Sequence, residues 1–299
     1  QAMSEVITKV LYPEDNHTDG KLLRLSQQYF LVSASIQDII RRHLYAHGNL
    51  DQLPELAAIH LNDTHPVLAI PEMMRVMLDE CGYGWDAAWD IVKRTVAYTN
   101  HTVMSEALET WNRDLFKMRL PRIYQIVEEI DRRFWNEMRA KGVDEGKIFR
   151  MAPLNDGYVK MASLAVIGSH SVNGVSALHS EILKNDLFHD FYLEEPQKFT
   201  NVTNGIAHRR WLNQSNPELA KLITQLIGKD YIYDADKLQG LLKYQDDAQV
   251  LEQLQKIKRG NKERLAAYLK KTQGDVVDPD SIFDVQVKRL HEYKRQHMN

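Results

Sequence analysis

The 299-residue chain reads as a helix-rich α/β fold, and three observations predict it. Apolar residues recur at helical spacing over long segments. Only three or four short apolar runs have strand character. Four short polar clusters of Asn, Asp, Thr, Ser or His stand at predicted element ends. Hydrophobic residues make up 43% of the chain and charged residues 26%, which supplies enough apolar mass for a sizeable core. A complete α/β sheet usually carries about five or six strands, so this count predicts a sheet short of partners.

Taken in order, residues 11–20 form a polar loop punctuated by Pro13 and Gly20. Leu22, Leu25, Tyr29, Val32, Ile36, Ile39 and Ile40 then recur at helical spacing and predict a long helix ending near Arg41 and Arg42. Residues 57–61 are a strand candidate closed by the turn Asn62-Asp-Thr-His-Pro66. There Asp63 or Thr64 would cap a helix whose first turn carries Pro71 and Glu72. Further helices are expected over 85–98, 105–114, 121–139, 161–172, 175–183, 217–227 and 248–271, and 284–287 reads as a last short buried strand. No internal repeat or low-complexity segment stands out.

Composition narrows the function classes. The net charge of −3 gives no whole-molecule field to attract nucleic acid. No run of about 18 apolar residues predicts a membrane span. The N-terminal residues lack a basic-then-apolar signal, and the single cysteine, Cys81, forms no internal disulfide, so a cytoplasmic setting is expected. On the same reading the Asn-x-Ser/Thr triplets at Asn16, Asn62, Asn100, Asn201 and Asn213 are local hydrogen-bonding motifs.

Four polar clusters lie at predicted element ends, where sites are usually built. They are residues 60–66, 98–102, 168–174 and 201–205, rich in Asn, Thr, Ser and His with few acids. Neutral donors and acceptors of this kind suit sugar hydroxyls, which need many directional bonds and no net charge. His60, Asp63 and His65 are also metal-ligand types, with His101 as a fourth, but strand alternation turns His60 away from Asp63 and no metal is expected. Asp63 and His65 equally suit a plain cap with local hydrogen bonds. Ser169 lacks a nucleophile elbow, and Glu106 and Glu109 read as an exposed helix face rather than a glycosidase pair. At the C-terminus Lys288, Arg289, His291, Lys294, Arg295 and His297 crowd the end of the last predicted strand. Arg offers a fork and Lys a point charge to a phosphate, although a solvated charge run or a single-strand nucleic-acid contact with Tyr293 fits the same residues.

With these motifs in hand, the chain resembles the glycogen/maltodextrin (α-glucan) phosphorylases along its whole length. The resemblance rests on Leu61-Asn-Asp-Thr-His-Pro, Ala97-Tyr-Thr-Asn-His-Thr-Val, Glu106-Ala-Leu-Glu-Thr-Trp, Val172-Asn-Gly-Val, Thr203-Asn-Gly-Ile, Arg209-Arg-Trp and Phe283-Asp-Val-Gln-Val-Lys-Arg-Leu-His-Glu-Tyr-Lys-Arg-Gln, in one fixed order. It implies a partial two-domain, Rossmann-like (GT-B type) architecture, with 1–205 as the later part of an N-terminal domain. Residues 206–299 would then be an inter-domain helical region and the first strand of a truncated C-terminal cofactor domain. It implies attack of inorganic phosphate on the terminal α-1,4-linked glucose of a glucan, releasing glucose 1-phosphate. Pyridoxal phosphate would serve as proton relay, with its attachment lysine outside this chain.

Residue by residue, the resemblance assigns His101 and Asn204 to the glucose hydroxyls with Val175 beside the same sugar, and the His101 carbonyl to the developing positive charge. Arg289 and Lys294 would hold the substrate and cofactor phosphates, Lys288 the cofactor phosphate, and Trp211 would line the cofactor pocket. Asp15 and Asn16 match a mobile gating loop; Asp63, His65 and Glu109 would line the channel toward the glucan acceptor. Arg41 and Arg42 match a nucleotide-phosphate site of regulated members, or a plain helix end. The resemblance also implies a homodimer for the whole protein and, for the 299-residue chain by itself, no activity. His17 stands where regulated animal members carry an aromatic, Ala207-His208 replaces a Thr-Pro pair, and Glu128, Asp131 and Arg132 depart from the animal glycogen-storage surface. A non-catalytic glucan-binding module is the alternative reading.

Overall fold

The structure, a computed structural model, describes residues 2–285. It divides into two compact units, Gln1–Asn204 and Gly205–Asn299.

In the first unit the described helices and strands run α1 (Ala2–Lys9), α2 (Thr18–His47), α3 (Leu53–Leu56), β1 (Ile59–Asn62), α4 (Ala69–Asp79), α5 (Trp85–Thr95), β2 (Val96–Thr99), β3 (Thr110–Asn112) and α6 (Arg113–Arg119). They continue with α7 (Pro121–Ala140), α8 (Glu145–Met151), β4 (Leu154–Asn155), β5 (Tyr158–Lys160), α9 (Met161–Ile167), β6 (Ser171–Gly174), α10 (Ala177–Ile182), α11 (His189–Glu194) and β7 (Phe199–Asn201). Strands β1, β2, β6 and β7 form one parallel sheet in that order, so all four end on the same edge. A second, antiparallel sheet has the order β3-β5-β4.

The chain is therefore helix-rich α/β, but with seven strands among its described residues rather than three or four. The undercount has one cause. Val96, Ala97 and Tyr98 of β2 are buried on both faces, as are Val172, Asn173 and Gly174 of β6. Strands covered on both faces show no apolar/polar alternation, so they read as the ends of the helices before them. The expected helix over 85–98 is α5 followed directly by β2, and that over 161–172 is α9 followed by β6. The stretch 105–114 is a single 3-10 turn, Ser105–Ala107, then β3 and the start of α6.

Helix α2 continues past Arg42 to His47, ending at Gly48, whose φ of 79° suits a residue without Cβ. Arg41 and Arg42 are thus mid-helix, paired with Asp38 at 2.9 and 2.8 Å and about four-fifths exposed. His17 caps the same helix, its Nδ1 accepting from the Gly20 amide at 3.0 Å. Neither Asp63 nor Thr64 caps α4, whose N-cap position is Leu68.

The core of this unit centres on α4, α7, α9 and the parallel sheet, with Met73, Val92, Tyr98, Val127, Leu164 and Val172 fully enclosed. It also encloses one carboxylate, Glu72. Arg75 grips it with two nitrogens at 2.8 and 2.9 Å, and Tyr29 and Ser33 of α2 donate to it at 2.9 and 2.7 Å. Those bonds outweigh burial and hold its pKa below the usual carboxylate range.

In the second unit, α12 (Pro217–Ile227) and α13 (Ala248–Gln273) accompany a π-helical segment, Arg209–Gln214, and 3-10 segments at Asp230–Ile232 and Ala235–Tyr244. Tyr231 is its fully buried anchor, donating to Asn213 Oδ1 at 3.1 Å. Asp284 and Val285 are exposed and carry no strand, against the expectation of a buried one. The rest of that expected strand, with Lys288, Arg289 and Lys294, lies outside the described residues. No helix among the described residues is long and apolar enough to cross a membrane.

Candidate functional site

Four consecutive-parallel strands bring the polar clusters to one place. Each cluster follows the C-terminal end of a strand: Asn62 and Asp63 after β1, Asn100 and His101 after β2, Gly174 and Val175 after β6, and Asn201 to Asn204 at and after β7. In open α/β sheets this carboxyl edge is where ligands bind.

Backbone pairing runs past the strands and locks their ends together. The Asp63 amide donates to the Thr99 carbonyl (3.0 Å), Asn100 to Asn173 (3.0 Å), Val202 to Gly174 (3.1 Å) and Asn204 to Val175 (2.9 Å). Asp63 makes its turn with φ at +70°, a left-handed conformation that Asp tolerates better than most residues, and its Oδ1 accepts from the next amide, Thr64, at 2.6 Å.

A network of uncharged side chains lies over this frame. His101 Nε2 donates to Asn62 Oδ1 at 2.6 Å, bridging β1 to the loop after β2. Asn100 is fully buried; its amide nitrogen donates to the Tyr98 hydroxyl at 2.9 Å and its Oδ1 accepts from the Thr102 amide at 2.8 Å. Burial pushes the Tyr98 hydroxyl pKa upward, so the Tyr98–Asn100 pair stays uncharged. Thr99 Oγ1 donates to Asn173 Oδ1 at 2.7 Å, and Ser180 Oγ donates to Asn201 Oδ1 at 2.8 Å. Burial of Asn100 also removes it from any reading of its triplet as an accessible modification site.

Glu109 lies just before β3 rather than on a helix face, and its carboxylate is held by neighbouring donors. Gln28 and Trp111 donate to its Oε1 at 2.8 and 3.0 Å, and Thr64 Oγ1 donates to its Oε2 at 2.7 Å. Three neutral donors from α2, the β1 turn and β3 therefore orient the anion. His65 Nδ1 lies 3.8 Å from Glu109 Oε2 but 3.3 Å from Arg24 Nη2. The Arg24 guanidinium is the nearer partner of this ring nitrogen. Arg24 in turn lies 4.6 Å from the centre of the Tyr12 ring.

Most of the sequence-derived candidates are thus gathered by the sheet: His101, Val175, Asn204 and Asp63 on its carboxyl edge, with His65 and Glu109 joined to it through Thr64. Others are not. Asp15 and Asn16 sit in the exposed turn before α2, where Asn16 donates to Glu14 at 3.0 Å, and no hydrogen bond among the described residues joins them to the sheet edge. Trp211 is 68% exposed in the second unit, with the Arg210 guanidinium 4.9 Å from its ring centre. It is the only described residue of the four assigned to the cofactor; its flat face and neighbouring cation suit a ring bearing a phosphate. No cluster of three His, Cys, Asp or Glu side chains able to hold a metal occurs among the described residues; His101 is bonded to Asn62 instead.

Two contributors took roles that the sequence reading did not give them. Thr64, read there as a possible helix cap, is buried and spans from the turn to Glu109. His179 is a buried histidine on α10 that touches two of the loops. A single histidine inside a helical stretch carries no signal of that kind.

The chain matches the family model for carbohydrate phosphorylase over residues 1–299. It is 50% identical over 297 residues to glycogen phosphorylase of Bacillus subtilis (strain 168), covering 99% of this chain and 37% of that protein. It is 50% identical over 309 aligned residues to the muscle form of mouse and 49% to the human muscle form, with the same coverage of 99% and 37%. The chain thus spans well under half the length of these relatives. A family match over residues 1–299 and 50% identity across 99% of the chain lead to one conclusion: the chain belongs to the carbohydrate phosphorylase family.

Proposed function

We propose that the carboxyl edge of the parallel sheet binds the terminal glucose of an α-1,4-glucan, and that the whole protein is an α-glucan phosphorylase releasing glucose 1-phosphate. One observation carries this reading. The loops at that edge present amides, hydroxyls and imidazoles held by a network without a buried charge of its own, and a neutral polyhydroxy ligand is the partner such groups match. Asn204, whose backbone is fixed to Val175, and His101, whose imidazole is fixed by Asn62, are poised to meet sugar hydroxyls. Pre-set donors and carbonyls of this kind stabilise charge that develops only in the transition state of an oxocarbenium-like reaction. Glu109 and His65, held by Thr64 and Arg24, would line the way to the acceptor end of the glucan.

Pyridoxal phosphate belongs to the same proposal, as the phosphate proton relay of the whole protein. Trp211 and Arg210 would pack against it, and Lys288, Arg289 and Lys294 would hold it and the substrate phosphate. A cytoplasmic location, expected from the sequence, and a homodimer, implied by the resemblance, belong to the same proposal. A non-catalytic glucan-binding module is the competing reading. The test is incubation of the whole protein with maltoheptaose, with and without inorganic phosphate. Phosphate-dependent release of glucose 1-phosphate is expected; sugar binding without any release would favour the binding module, and no binding at millimolar sugar would sink both.

A further inference from the structure

Strand β6 and the loop after β2 are joined by a side chain that the proposed chemistry does not use. His179 is 6% exposed on α10, with its ring between the two loops. The Val175 amide donates to its Nδ1 at 3.1 Å, and its Nε2 lies 3.1 Å from the Thr102 carbonyl oxygen. A backbone N–H can only donate and a carbonyl can only accept. His179 is therefore held as the neutral tautomer with its proton on Nε2, bonded on both sides.

The local sequence is built to deliver the ring there. Ser176 caps α10 by accepting from the His179 amide at 3.1 Å. Gly174 lets the helix approach: a Cβ at that position would fall 2.5 Å from Ser180 Oγ and 2.9 Å from the Ser180 backbone. The close approach sets both the Ser180–Asn201 bond and the reach of His179 to Thr102.

We propose that His179 is a positioning residue of the sugar site. Through one ring it fixes the Val175 amide and the His101–Thr102 backbone, the two segments that flank the same bound glucose. This rests on the proposed sugar reading, and it goes further by naming the group that sets the spacing of the two loops.

Two substitutions divide the ring's duties. His179→Asn places an acceptor near the Nδ1 position and loses the Nε2 donor; His179→Gln places a donor near the Nε2 position and loses the Nδ1 acceptor. In the whole protein each is expected to raise the KM for maltoheptaose about tenfold, the equivalent of one buried hydrogen bond, with the KM for phosphate unchanged. A purely structural role would lower kcat through the folded fraction and leave both KM values alone, and that result overturns the proposal. If the wild-type protein binds sugar and both variants bind it equally well, the proposal also fails while the sugar reading stands. If the wild type binds no sugar, the sugar reading fails first. A second measurement covers variants that do not fold: two-bond 15N–1H spectra of the wild-type protein should show His179 protonated on Nε2 alone, and a proton on Nδ1 overturns the proposal.

Discussion

Asp131 on α7 offers the sharpest test of the electrostatics. Its carboxylate is largely withdrawn from water and pushed up to about 6 from an ordinary value of 3.8, chiefly by burial, with Glu128 adding repulsion. The Leu154 amide, donating at 3.0 Å, and the Arg113 guanidinium pull the other way without winning. The gap between 3.8 and about 6 corresponds to about 3 kcal/mol between the two states of protonation. Asp131 keeps some contact with solvent, so about half of that is a realistic effect. The sign follows from proton binding. Between pH 4 and pH 6 the folded form holds a proton that the unfolded form has lost, so stability falls as pH rises through that window and stays lower above it. Asp131→Asn is neutral throughout and keeps an oxygen for the Leu154 amide. By urea unfolding followed through tryptophan fluorescence, it should match the wild type at pH 4 and exceed it by about 1.5 kcal/mol at pH 8. A variant less stable than wild type at pH 8, or a difference that does not change with pH, would refute the reasoning.

Glu72→Gln should cost about 1–3 kcal/mol in urea unfolding, because it takes one of two carboxylates from the part-buried Arg75, which keeps Glu80 at 2.8 Å. Because Glu72 is held below the ordinary carboxylate range, its own contribution is present above that range and fades as pH falls through the folded value. Gly174→Ala drives a Cβ into the Ser180 backbone and should cost about 1–3 kcal/mol in thermal unfolding, with weaker sugar binding, since backbone atoms cannot yield as a flexible side chain can. Tyr98→Phe removes the acceptor for the buried Asn100 amide and should cost about 1–3 kcal/mol by the same measurement. The 299-residue chain, purified and mass-verified, is expected to release no glucose 1-phosphate from maltoheptaose and phosphate; release would overturn that expectation.

Long amphipathic helices were legible from their period alone. The helices over 121–139, 217–227 and 248–271 match α7, α12 and α13 within two residues, because one face of each is apolar and the other wet. The parallel sheet was not legible for the opposite reason. Once both faces are covered, β2 and β6 become apolar runs that merge with α5 and α9, and only the Asn-rich turns behind them mark where a strand has ended. Those turns carried more information than the strands, since the polar clusters at 60–66, 98–102, 168–174 and 201–205 flagged residues that the fold brings to one edge. Glu109 illustrates the limit. Its chemistry was visible, but two of its three donors, Gln28 and Thr64, reach it only when distant segments meet. His179 had no local signature at all, because its role depends on the close approach that Gly174 permits.

Hydrogen exchange of the whole protein, measured with and without saturating maltoheptaose, bears most directly on the sugar-binding edge. Protection should concentrate in peptides containing residues 99–103, 173–176 and 201–205. Protection confined to other surfaces, such as the face of α7 around Asp131 and Arg132, with those three segments unchanged, would contradict it.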